Sequence, residues 1–268
     1  MIQRLSSLQD YLSQMKPHLE GIFMAWMCFL LTWAQLKYWE EPMHHTYLAI
    51  VSIGTLAVYL PACRNALLRM KWTYLLGFSV LGFGLLLTIY GVERWILGLM
   101  APTAIILLYF KQIRNLPNLR KLPGLKSFVI PLIWVLVTYD IPVSPMKKDL
   151  ATNYYLAWYF LVFLMCLLTD YLDAENDRSE GLRTLANNFS KPWLSLIGLF
   201  VWSGYLYFGI QSTAYGHSTS LFLAVLLSGV YIFLVSIFVL SDNLKSKIAI
   251  DLCFGIYSIP LLWTNLVY

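Results

Sequence analysis

Asp170-Tyr171-Leu172-Asp173-Ala174-Glu175-Asn176-Asp177-Arg178-Ser179-Glu180-Gly181-Leu182-Arg183-Thr184-Leu185 lies between two long apolar runs and gathers five of the fourteen Asp and Glu residues in the chain. Read as one helix, positions 170, 173, 177, 181 and 184 return to one face, because steps of three and four residues nearly complete a turn. Three carboxylates, a Gly and a Thr then share a side. Carboxylates massed where an apolar helix ends meet the negative end of its dipole and repel one another, so a cation is expected beside them. Hard divalent ions take oxygen ligands, and Mg²⁺ is commonly held by one or two carboxylates while water and substrate phosphate complete its shell. The stripe suits a Mg²⁺-phosphate group. Its plain alternative is a solvated loop, since loops gather charge by default.

The surroundings define the class of protein. Hydrophobic residues make up 59% of the 268 and charged residues 12%, against a charged fraction of about 25% in soluble domains. These proportions indicate an all-α polytopic membrane protein. Cys28, Cys63, Cys166 and Cys253 are scattered, mostly within apolar runs and without a CxxC pair, which suggests neither a disulfide framework nor a zinc site. The N-terminus lacks the basic, apolar and small-residue order of a cleavable signal, so the first apolar run is expected to be retained. A net charge of +5 requires no nucleic-acid partner; the distribution of that charge is more informative.

Residues 1–19 carry Ile2, Leu5, Leu8, Leu12 and Met15 at steps of three and four and reach Pro17. They are expected to form a short amphipathic helix at the membrane surface. Residues 20–268 then read as a single transmembrane domain of nine apolar runs, at 21–36, 46–63, 72–90, 95–110, 127–143, 153–169, 193–213, 220–240 and 248–268. With the N-terminus inside, fifteen of the nineteen Lys and Arg residues fall in inner segments, and only Lys37, Arg94, Lys147 and Lys148 fall outside. Positive charge accumulates on the cytoplasmic side of short loops. This predicts a protein of the inner or plasma membrane with its N-terminus cytoplasmic, its C-terminus outside and the acidic stripe on the cytoplasmic face. The loops after the second and sixth runs share that face and could meet over a central cavity. Gly82, Gly84, Pro102, Pro131 and Pro260 would allow close packing or kinks.

Within 170–187 the pattern D-x-x-D-x-x-x-D-x-x-x-G-x-x-T-L-A resembles the second aspartate-rich motif of the UbiA superfamily of intramembrane prenyltransferases. Leu122-Pro123-Gly124-Leu125-Lys126-Ser127-Phe128, followed by Trp134, resembles the start of that family's fifth helix, and Asp251 resembles a late Asp found in many relatives. The resemblance implies nine helices with cytoplasmic loops 2–3 and 6–7 at the site. It implies transfer of an isoprenoid chain from a prenyl diphosphate to a lipophilic acceptor, with Mg²⁺-assisted loss of diphosphate. Asp170, Asp173 and Asp177 would then be the catalytic, metal-holding residues. Departure of an allylic diphosphate develops negative charge that metal ions and Lys or Arg stabilise, and an aromatic-rich cavity would shelter the allylic cation.

The family's first motif, N-D-x-x-D-x-x-x-D, is missing. Where it belongs the chain reads Tyr59-Leu60-Pro61-Ala62-Cys63-Arg64-Asn65-Ala66-Leu67-Leu68-Arg69-Met70-Lys71-Trp72, with Asn65 as its remnant and no carboxylate between Glu41 and Glu93. Arg64, Arg69 and Lys71 are candidates to bind diphosphate oxygens directly, although positive-inside topology alone would also place them there. Lys126 is a diphosphate candidate under the same alternative. Asp251, about one turn into the last run, is a functional candidate or a helix-pairing Asp. His44 and His45 after Glu40 and Glu41 match no metal spacing and read as a solvated outer loop, and Asp140, near the outer end of the fifth run, has a similarly plain reading. The principal rival is a degenerate family member that binds a prenyl or quinone-like lipid, or a membrane partner, without turnover. A CDP-alcohol phosphotransferase is disfavoured, because Asp173 is followed by Ala174 rather than by Gly. A transporter would place its charges near the bilayer midplane.

The charge partition yields a direct test. Reporter fusions after residues 68, 118 and 180 should report cytoplasm and a fusion at 216 the outside; an outside signal at 180 would remove the stripe from the cytoplasmic face.

Overall fold

The computed structural model describes residues 2–42, 45–60, 99, 103, 105, 122, 124–143, 152–213, 218–244 and 246–263. Helices are the only regular elements among them: α1 (Ile2–Tyr38), α2 (His45–Tyr59), α3 (Leu125–Val135) continued by a π-turn (Leu136–Asp140), α4 (Thr152–Leu172), α5 (Ala174–Ser179), α6 (Leu185–Asn188), α7 (Lys191–Ser212), α8 (Ser218–Leu240) and α9 (Lys247–Leu262). Four stretches, His18–Tyr38, Thr152–Leu172, Lys191–Ser212 and Thr219–Leu240, are long and apolar enough to cross a membrane. The described parts of the apolar runs at 21–36, 46–63, 127–143, 153–169, 193–213, 220–240 and 248–268 fall on α1, α2, α3 with its π-turn, α4, α7, α8 and α9, residues 61–63 and 264–268 lying outside the described residues. Run 72–90 and most of 95–110 lie outside the described residues.

One boundary differs from expectation. The helix does not stop at position 17; α1 runs unbroken from Ile2 to Tyr38, so the amphipathic segment and the first apolar run are one element. Extending a helix already nucleated by a long apolar segment adds a hydrogen bond per residue, whereas a separate short helix must nucleate again.

α4 is the centre of the bundle, packed against α3, α7, α8 and α9 and capped by α5 and α6. A helix that is apolar all round belongs inside a protein; Tyr154, Trp158, Leu161, Val162, Leu164, Met165 and Leu168 are buried on one side of it, while Tyr155, Tyr159 and Phe160 on the other are half-buried. α1 covers one flank, against α2, α9 and the π-turn. The π-turn follows Pro131, which supplies no N–H to α3. Its looser backbone is tied down by side chains. Thr138 Oγ1 donates to the Trp134 carbonyl at 2.7 Å and accepts from Trp158 Nε1 at 3.1 Å, while the Tyr47 hydroxyl donates to the Val137 carbonyl.

α7 and α8 show the opposite pattern. They leave Phe200, Tyr207, Leu199, Leu227, Ile237 and Phe238 exposed, the outward apolar surface expected of helices bathed in lipid. Where the two helices meet, small residues bring the backbones together, as van der Waals packing between membrane helices requires. Trp202 Nε1 donates to the Gly229 carbonyl at 2.9 Å, and the Tyr205 hydroxyl lies 2.6 Å from Ser228 Oγ. A Cβ on Gly209 would stand 2.6 Å from Val225 Cγ1, whereas one on Gly198 would meet nothing closer than Leu164 Cδ1 at 3.7 Å. Val225 is stiff at χ1 within a helix and has little room to yield. Gly209→Leu should therefore lower stability in detergent micelles by about 1–3 kcal/mol, while Gly198→Ala leaves the thermal midpoint unchanged or raises it.

Candidate functional site

The acidic stretch forms three short pieces rather than one helix. α4 ends at Leu172, Asp173 occupies the N-cap position of the short α5 without a side-chain capping bond, and Gly181 takes a left-handed φ of 71°. Leu182 N donates to the Asp177 carbonyl at 2.8 Å and Gly181 N to the Arg178 carbonyl at 3.1 Å, the bond pair of a Schellman terminus. Leu182 is buried behind it. The chain then extends to buried Thr184, whose Oγ1 accepts from Asn187 N at 3.3 Å and caps α6. Gly181 and Thr184 therefore do not line one helical face with the aspartates; they reverse the chain and restart it.

The three aspartates also divide. Asp170 and Asp177 are buried, and both reach the same ammonium: Lys126 Nζ lies 2.8 Å from Asp170 Oδ1 and 2.8 Å from Asp177 Oδ2. Ser127 Oγ donates to the other Asp170 oxygen at 2.7 Å. Asp173 turns instead to Lys247 Nζ, 2.7 Å from its Oδ1. Among the described residues no three His, Cys, Asp or Glu side chains converge on one point.

Lys126 and Lys247 stand in the first turns of α3 and α9, at the positive ends of those helices, where a cation is ordinarily disfavoured. Both helix starts face the negative end of α4, so dipoles and ammonium groups act together on the carboxylates. Burial works against the Lys126 charge, but Asp170, by charge and hydrogen bond, and then Asp177 outweigh it and hold the ammonium above the ordinary lysine range. It remains charged at neutral pH. The backbone fixes the same junction: Gly124 N donates to the Arg183 carbonyl at 2.8 Å, and Gly124 itself has a left-handed φ of 72°. The Leu122–Phe128 segment and the 181–185 loop are thus pinned together at the level of Lys126.

Asp251 lies one turn beyond Lys247 on α9, buried, with Glu20 of α1 and Lys247 as the charges acting on it. It borders the cluster and has no described bond to the three aspartates. On the outer side, Asp242 accepts from Lys191 Nζ at 2.8 Å and from the Tyr171 hydroxyl at 3.0 Å, clasping the α8–α9 turn to the end of α4. Arg64, Asn65, Arg69 and Lys71 lie outside the described residues. Ser127 and Lys247 are cluster members that the sequence patterns did not single out. Their partners are 43 and 74 positions away, beyond any local periodicity. The available signal was a Lys at a helix start, against its own dipole.

Two carboxylates converging on one cation form the seat that a divalent ion uses, with hard oxygen donors of the right kind. Asp170 and Asp177 fit Mg²⁺ as a pair, whereas Asp173 is turned from them to Lys247. Comparison of the chain with models of known families, with curated proteins and with solved structures gave no match.

The left-handed turn provides a test of the frame itself. A Cβ on Gly181 would meet no atom within 4 Å, so the cost of Gly181→Ala is conformational alone, about 1–2 kcal/mol. Gly181→Asn should cost less, because Asn tolerates this region. Thermal unfolding of the three chains should give the order Gly, Asn, Ala.

Proposed function

We propose that the chain is a membrane-embedded prenyltransferase of the UbiA type, taking a prenyl diphosphate and a lipophilic acceptor at the cytoplasmic end of a nine-span bundle. The observation that carries this is convergence. Two stretches chosen from the sequence for their likeness to that family, 170–187 and 122–128, meet at one end of the bundle through Lys126–Asp170, Lys126–Asp177 and Gly124–Arg183, and the last helix, which carries Asp251, joins them through Lys247–Asp173.

In this reading Asp170 and Asp177 hold Mg²⁺, with Asp173 as a further donor. When bound, the metal neutralises diphosphate and assists its departure. Lys126 and Lys247 add positive potential at the mouth of the site, and a charge aimed at a leaving group is worth most where water is scarce. Arg64, Asn65, Arg69 and Lys71 are proposed to contact the diphosphate from the loop after the second run, replacing carboxylates that the chain lacks there. Trp134 stacks on Phe254 and Trp158 tilts against the same ring, between α3, α4 and α9, and such rings would favour an allylic cation brought beside them.

A lipid binder without turnover is the alternative, favoured by one specific feature: no carboxylate between Glu41 and Glu93 is available for a second metal site. The two are separated by measuring prenyl-diphosphate binding and diphosphate release on the purified chain. Asp177→Asn should weaken Mg²⁺-dependent binding by on the order of 2–5 kcal/mol, Asp173→Asn less, and Glu180→Gln not at all. Release that vanishes in Asp177→Asn establishes an enzyme; tight binding with no release across a broad acceptor panel establishes a binder.

A further inference from the structure

We propose that the Lys126 ammonium is a built-in counter-ion which must leave the Asp170–Asp177 pair before a divalent cation can bridge it, so that metal and diphosphate are taken up together. This rests on the reading of the acidic stretch as a metal-diphosphate site and concerns how that site is loaded.

The geometry is specific about which oxygens are engaged. Lys126 Nζ takes Asp170 Oδ1 and Asp177 Oδ2, both at 2.8 Å, while Ser127, the next residue, takes Asp170 Oδ2 at 2.7 Å. One turn of α3 thus engages both oxygens of Asp170 and one of Asp177. A Mg²⁺ ion drawing on the same pair needs its oxygens at about 2.0–2.1 Å, which brings it against the ammonium in a buried setting where like charges are poorly screened. Metal alone must therefore displace a cation and leave it without an anion. A diphosphate supplies that anion. The lysine stem is flexible and the head compact, so Nζ can swing from carboxylate to phosphate while the stem stays packed. Metal and diphosphate should then raise each other's affinity by the same factor, as linkage requires. Lys247 is no such obstacle: it holds only Asp173, and its side chain is one-third exposed.

The inference is tested with Mn²⁺ as the probe, on the full chain in detergent micelles, with free Mn²⁺ read by electron paramagnetic resonance and no diphosphate present. Lys126→Met should bind Mn²⁺ at least about tenfold more tightly than the native chain, the low end of couplings measured for close charge pairs. Lys126→Arg, which keeps the charge, should show no such gain. Adding Asp177→Asn to Lys126→Met should abolish it. The thermal midpoint of Lys126→Met should lie below that of the native chain without Mn²⁺ and recover with it. The inference is overturned if Lys126→Met binds Mn²⁺ no more tightly than the native chain, if Mn²⁺ fails to stabilise it, or if the gain persists in the double variant. A gain in Mn²⁺ affinity in a protein that ignores prenyl diphosphate supports the counter-ion and removes the transferase reading, so the two can fail separately.

Discussion

One ammonium group between two buried carboxylates governs this end of the molecule. Asp170 and Asp177 sit where the dipole of α4 is negative and where burial penalises an unpaired charge. Lys126 pairs with both from 2.8 Å, and Ser127 satisfies the remaining Asp170 oxygen. A buried pair of this kind contributes little net stability once desolvation is counted, yet losing one partner is costly because the other charge is stranded. Its effect is therefore on position. It fixes the start of α3 against the end of α4, and the rest of the site depends on that junction.

Everything around the junction serves to hold it. Two glycines in left-handed conformation, Gly124 and Gly181, allow the chain to turn on either side, and a backbone hydrogen bond between Gly124 and Arg183 joins the two turns. Lys247 brings α9 to Asp173. Tyr171, Lys191 and Asp242 close the rim where solvent reaches it. Three helix ends of opposite polarity thus meet, and their dipoles favour the arrangement that the side chains complete.

Several hydroxyl groups within the apolar helices are satisfied locally. Thr32, Ser52, Thr55, Thr169, Ser236 and Ser258 each donate to the carbonyl four residues earlier, the standard resolution when no water is at hand. The aromatic side chains between α1, the π-turn and α4, including Tyr38, Trp39, Tyr139 and Tyr154, pack edge and face together. Among the described residues, the ion pairs between side chains shown above lie at the end where α4 meets α3 and α9.

Local sequence determined the elements. Apolar run length marked the helices, because a lipid-facing or buried helix must be apolar throughout, and the spacing of Asp170, Asp173 and Asp177 marked the site, because carboxylates are scarce in this chain and cluster there. The same local logic misread the residues just beyond Asp177. Periodicity alone continued the stripe to Gly181 and Thr184, but a glycine free to adopt positive φ ended the helix and turned those positions into a terminus and a cap. It also ended the first helix at Pro17, where a long neighbouring helix simply extended. Only the tertiary structure decided that Asp170 and Asp177 share Lys126, that Asp173 parts from them to Lys247, and that Ser127 belongs to the cluster. Those pairings join residues tens of positions apart, and electrostatic attraction between such residues leaves no period in the sequence; it appears when packing brings the helix ends together.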